Sequence, residues 1–132
     1  SVLLGQAHAG KLSDDVAVPC MAIPAVLRRF AELGRRRGVL VSCYGHAGDG
    51  NLHANVLWDD PGLDAAGRAT LDEMLGVVLE HGGTISGEHG IGMAKREALR
   101  REQSPELLAL QRRLKAAFDP AGLLNPGKVL PD

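Results

Sequence analysis

The chain has 132 residues, 45% of them hydrophobic and 23% charged, with a formal net charge of −1. This soluble, globular balance carries enough apolar mass for one core and excludes a disordered tail, a fibrous repeat or a strongly basic nucleic-acid arm. Having only four aromatic residues argues against recognition of bases by stacking, and no apolar run approaches the ~20 residues of a membrane helix.

In chain order, Asp15 to Pro19 reads as a short strand closed by proline. Pro24 then suits the first turn of a helix whose apolar positions are Ile23, Val26, Leu27, Phe30 and Leu33. Arg35, Arg36 and Arg37 crowd its last turn and Gly38 can end it, so the arginine run reads as a solvated helix end rather than a phosphate site. Val39 to Tyr44 and Asn51 to Trp58 are predicted strands. In the second, Leu52, Ala54 and Val56 share one face and His53, Asn55 and Leu57 the other.

Asp59-Asp60-Pro61-Gly62 is a turn. Leu71, Met74, Leu75, Val78 and Leu79 have amphipathic helical spacing, ended by Gly82-Gly83. A short strand, Thr84 to Ser86, precedes a helix predicted from Met93 to Arg101. Ser104-Pro105-Glu106 starts a final helix with Leu107, Leu110, Leu114 and Phe118 as its expected buried stripe. The predicted fold is α+β, a ferredoxin-like split βαβ antiparallel sheet with helices on one face, plus C-terminal helices. The chain opens on Ser1 without an initiator methionine, and we expect a C-terminal piece of a longer protein; a processed or trimmed complete domain is the alternative.

Glycine stands at 17 residues, and eight of these fall in two windows, Gly45 to His53 and Gly82 to Gly92, that also hold three of the five histidines. In the first window a glycine-rich hairpin can bring His46 and His53 together, and two neutral imidazoles aimed at one point are half of a transition-metal site. Asn55 shares a strand face with His53 and can bond whatever the metal holds.

In the second window Glu88 can complete a His-His-Glu set with a coordination position left for substrate. His89 is then a candidate general base. Asp49 is either a partner orienting a ligand histidine or a turn former. His8 and His81 read as surface or satisfied structural histidines. Cys20 and Cys43 make neither a disulfide framework nor a zinc pattern, which points to a reducing, cytoplasmic setting.

The segments GHAGDGNLHANV, GGTISGEHGIGMAKREAL and FDPAGLLNPGKVLPD, with KLSDDVAVP at Lys11 to Pro19, resemble the C-terminal part of FAD-linked oxidases, the group of D-lactate dehydrogenase, the flavin subunit of glycolate oxidase and D-2-hydroxyglutarate dehydrogenase. The resemblance implies that residues 1–132 form the substrate- and metal-binding domain of an FAD-dependent 2-hydroxy-acid dehydrogenase. A hydride would pass from substrate C2 to flavin N5.

It further implies that His46, His53 and Glu88 are ligands of a divalent metal, zinc or manganese, that His89 is the catalytic histidine, and that Lys11 and Asn55 bind substrate. Asn125, in a tail that packs towards the flavin domain in relatives, is a candidate cofactor contact. FAD would be bound mainly by an N-terminal domain of the same protein, which would be this domain's partner alongside a small 2-hydroxy acid and an electron acceptor the sequence does not name. Apolar surface facing that domain would leave the isolated piece prone to self-association as a homo-oligomer, and the longer protein is expected in the cytoplasm or at the periphery of the inner membrane. A metal-dependent hydrolase and a ferredoxin-like binding module without catalysis are the alternatives.

Overall fold

The structure is a computed structural model and describes residues 8–132. These described residues divide into two compact units, 8–88 and 89–132.

The first unit is built on strand β1 (Gly10–Ala17), helix α1 (Ile23–Arg37), strands β2 (Leu40–His46) and β3 (Asn51–Trp58), and helix α2 (Asp64–Glu80). The sheet order is β1-β3-β2, with both outer strands antiparallel to β3. The outer strands are therefore parallel to each other and need a crossover, which α1 provides. The predicted fourth strand, Thr84 to Ser86, is reduced to a single bridge. Ala17 and Thr84 exchange backbone bonds of 3.1 and 2.8 Å on the free edge of β1. This completes the split βαβ arrangement in outline, and the α+β reading holds.

Register explains how the sheet divides its work. Residues opposite one another across antiparallel strands share a face, and alternate residues change face. One face carries Val16, Leu52, Ala54, Val56 and Trp58, all buried. It lies under the helices. A Cβ on Gly34 of α1 would meet the Val41 side chain at 2.8 Å, and one on Gly67 of α2 would meet the Trp58 ring at 2.4 Å. Phe30, Val26, Met74 and Val78 supply the helical side of this core. The Trp58 indole N–H donates to Asp64 at 2.7 Å, so the ring's polar edge is satisfied where α2 begins.

Helix α1 ends as its sequence predicts, at Gly38 with φ of 69°. Its arginine run is a solvated helix end, with Arg37 bonded to Glu73 of α2 at 2.5 and 3.1 Å and Arg36 paired with Glu32.

The second unit departs more from expectation. The helix predicted over Met93 to Arg101 forms only as α3 (Leu99–Glu102), preceded by turns over residues 92–98. Gly90 and Gly92 hold φ of 78° and 54°, and a segment with exposed Met93 has no apolar stripe to reward a longer helix. Helix α4 (Pro105–Phe118) starts at its predicted cap, where the Ser104 hydroxyl accepts the Leu107 N–H at 3.3 Å.

The α4 stripe expected to be buried is exposed instead. Leu107, Leu110, Leu114 and Phe118 are 42, 43, 52 and 85% exposed, and Leu108 is the residue that is buried. Helical spacing identifies an apolar face but cannot say whether the chain supplies anything to cover it. After α4, Asp119 holds the tail in place, accepting the N–H groups of Leu123 and Leu124 at 2.9 Å each and pairing with Lys115. Among the described residues, no helix is long and apolar enough to cross a membrane.

Candidate metal centre

The sheet face opposite the helices is polar. Its rows, read across the strands, are Lys11, Leu57 and Leu40; then Ser13, Asn55 and Ser42; then Asp15, His53 and Tyr44; then Ala17, Asn51 and His46, so that polar side chains predominate away from the leucine row. His46 and His53 are thus diagonal neighbours at the hairpin end of this face.

The hairpin turn is shaped to hold them there. The His46 carbonyl accepts the N–H groups of Asp49 and Gly50 at 3.2 and 3.1 Å, and the Asp49 carboxylate accepts the Asn51 N–H at 3.1 Å. Asp49 is therefore a turn former. Gly50 sits at φ of 79° with its carbonyl accepting the Val18 N–H, and a Cβ there would lie 1.9 Å from the Val18 carbonyl oxygen, so only glycine fits.

The two imidazole rings lie 5.7 Å apart, edge to face, and Tyr44 flanks His53 at 5.1 Å. Glu88 arrives from the segment that follows the Thr84 bridge, with its Oε1 3.2 Å from His53 Nε2. One ligand atom from each of His46, His53 and Glu88 lies within 4.8 Å of the others. The ligands of a tetrahedral zinc with ~2.1 Å bonds stand roughly 3.4 Å apart, and Glu88 Oε1 already stands 3.2 Å from His53 Nε2. Two nitrogens and a carboxylate suit zinc or manganese. His46 is exposed and His53 only partly buried, so one side of the set is open. The residues fit a divalent ion.

The other candidates fall differently. Asn55 shares the His53 face, as predicted, but is 1% exposed. Ser13 donates to its Oδ1 at 2.7 Å and its Nδ2 donates to the Ser42 carbonyl at 3.4 Å, leaving the second amide N–H as the group it can present. Lys11 is on the same face but four residues from the His53 row, roughly 13 Å at ~3.3 Å per residue. His89 is exposed, follows Glu88 in the chain and opens the second unit.

Asn125 is exposed in the left-handed region, φ 47°, and lines a cavity of about 830 Å³ within the second unit among Phe118, Leu124 and Leu130. His8 bonds Asp59 and His81 bonds the Val77 carbonyl, each at 2.8 Å, in keeping with structural roles. Sequence reasoning missed Asp15, a fully buried carboxylate on the site face, and Asn51, whose buried Oδ1 has no hydrogen-bond partner. The role of Asp15 rests on a bond to Glu88, 73 residues away, which no local pattern reports.

A split βαβ sheet with His46, His53 and Glu88 gathered on one face defines an α+β domain with a candidate cation site. The chain belongs to the family described as FAD linked oxidases, C-terminal domain, which matches residues 1–129. It is similar to the glycolate oxidase subunit GlcD of Escherichia coli (strain K12), 40% identical over 129 residues, covering 92% of this chain and 26% of that protein. It is similar also to a D-lactate dehydrogenase of Archaeoglobus fulgidus, 41% identical over 116 residues, covering 88% of this chain and 26% of the relative. The mitochondrial cytochrome D-lactate dehydrogenase of Kluyveromyces lactis is 37% identical over 117 residues, with 89 and 20% covered. The chain spans about a quarter of the length of the curated relatives it matches.

Proposed function

We propose that this chain is the substrate- and metal-binding part of an FAD-dependent oxidoreductase acting on a small 2-hydroxy acid such as D-lactate, glycolate or D-2-hydroxyglutarate. The observation that carries the reading is the convergence of His46, His53 and Glu88 within 4.8 Å on an open polar face. Relatives named as glycolate oxidase and D-lactate dehydrogenase support the substrate class.

His46, His53 and Glu88 would hold the ion, which would supply Lewis acidity to lower the pKa of the substrate hydroxyl. FAD, bound mainly by the part of the protein outside this chain, supplies the hydride acceptor. His89 removes the hydroxyl proton as the C2 hydride leaves. Asn55 orients the substrate through its remaining amide N–H. Lys11 pairs with the substrate carboxylate, and its long side chain must lean along β1 to do so, given its distance from the His53 row. The exposed α4 face of Leu107, Leu110, Leu114 and Phe118 supports a further surface meeting this unit, and we assign that surface to the flavin-binding part of the same protein.

The test is anaerobic mixing of the full-length, flavin- and metal-loaded protein with each 2-hydroxy acid while the flavin absorbance is followed. Bleaching by at least one acid, slowed strongly in His89→Ala, is expected. Loaded protein that no 2-hydroxy acid bleaches, or that hydrolyses esters without regard to flavin, overturns the reading.

A further inference from the structure

Asp15 is a carboxylate with 0% exposure in the middle of β1. Burying a carboxylate is costly unless its oxygens are matched by donors, so where those donors lie indicates what the group is for. Its Oδ2 accepts the backbone N–H of Glu88 at 2.5 Å and lies 3.5 Å from the Ser86 hydroxyl. In the strand register Asp15 stands directly opposite His53. One buried side chain thus links the strand row that carries one ligand to the backbone of the segment that carries another, 73 residues away.

The segment is seated closely on either side of that bond. Two residues along β1, Ala17 bridges Thr84. Gly87 lies directly over Asn51, where a Cβ would be 2.4 Å from Asn51 Oδ1. Fixing the Glu88 N–H fixes the peptide plane from which its Cα–Cβ bond departs, and so the direction from which its carboxylate approaches His53.

We propose that Asp15 is the positioning residue of the metal centre, setting Glu88 against His46 and His53 without contacting the ion. This rests on the metal reading above. An outer partner of this kind typically contributes about 10–100-fold in metal affinity.

The experiment uses metal-stripped full-length protein titrated with zinc in calorimetry, and with cobalt, whose visible bands report ligand geometry. Variants are Asp15→Asn, Asp15→Ala, Glu88→Ala and the double variant Asp15→Ala/Glu88→Ala. Asp15→Ala should weaken zinc by about 10–100-fold and shift the cobalt bands. Asp15→Asn, which keeps one acceptor for the Glu88 N–H, should lose less. In the Glu88→Ala background the Asp15 change should cost nothing further, because Asp15 acts through Glu88.

Should Asp15→Ala not fold, Asp15→Asn against wild type and against Glu88→Ala carries the same comparison. Wild-type affinity and cobalt bands in the Asp15 variants overturn the proposal while leaving the metal reading intact. An Asp15 loss of the same size with and without Glu88 overturns it too, since the effect would then be general. Wild-type protein that takes up neither ion overturns the metal reading itself and this proposal with it.

Discussion

The two faces of the sheet differ in how they treat polarity. Under the helices, the strands present Val16, Leu52, Ala54, Val56 and Trp58, held mainly by apolar burial, with the Trp58 N–H bonded to Asp64. On the opposite face, Asp15, Asn51 and Asn55 are buried just as fully, although each must be matched by donors and acceptors. Ser13 and the Ser42 carbonyl match Asn55, the Glu88 N–H matches Asp15, and Asn51 Oδ1 is left unmatched. Polar burial that costs free energy clusters around His46, His53 and Glu88, whereas most of the apolar burial lies on the far side, Leu57 being the fully buried exception on the site face. Most of the apolar core and the candidate site thus lie on opposite faces of one three-stranded sheet.

If that separation is real, damage to the helix face should unfold the protein and damage to the site face should spare it. Phe30 is 1% exposed in the helix-side core, and Phe30→Ala should cost about 3–5 kcal/mol by cavity formation, read by urea denaturation. His46 is exposed on the site face, and His46→Ala should change metal-free stability by no more than about 0.5 kcal/mol. Equal losses in the two variants would dissolve the distinction.

Metal should reverse the emphasis. Zinc at a hundred times its Kd should stabilise the wild type by about 2.7 kcal/mol through linkage, and His46→Ala should show none of this gain. Acid should erase the gain in the wild type, because protons compete with the ion for both imidazoles. Thermal denaturation with and without zinc at several pH values checks both.

A control lies outside the sheet. Lys115, with the N–H groups of Leu124 and Leu123, holds the Asp119 carboxyl below the usual aspartate range. A carboxyl whose pKa is lower folded than unfolded stabilises the fold above its unfolded pKa, and that contribution disappears as pH falls through the folded value. Asp119→Asn should therefore be less stable than wild type at neutral pH, and the gap should close below the ordinary aspartate range. A gap independent of pH from neutrality to strong acid contradicts this account of the tail.

The smallest effect is a rate. Cys43 lies on the helix-covered face, where burial pushes its thiol up to about 11, and Cys20 is exposed. Iodoacetamide at mildly alkaline pH should label Cys20 well before Cys43, as peptide mass spectrometry would show.

Much of this division was legible in the residues. Alternation in β3 separated Leu52, Ala54 and Val56 from His53 and Asn55, and the glycines around the hairpin and before Glu88 marked where backbone is shaped around side chains. Asp15 was not legible as a site residue because its meaning depends on a bond to Glu88, and no local pattern reports so distant a pairing. The α4 stripe was visible as apolar but misjudged as buried, since whether Leu107, Leu110, Leu114 and Phe118 are covered depends on surfaces their spacing does not encode. Lys11 was matched by motif, and the register placed it four residues from the His53 row.

Calorimetric titration of zinc and manganese into metal-stripped full-length protein, in the wild type and in His53→Ala and His89→Ala, tests the central claim most directly. The account predicts one ion bound per wild-type chain, affinity largely lost in His53→Ala and largely kept in His89→Ala, because only the former removes a ligand. A wild type that binds neither ion, or a His89→Ala variant as impaired as His53→Ala, contradicts it.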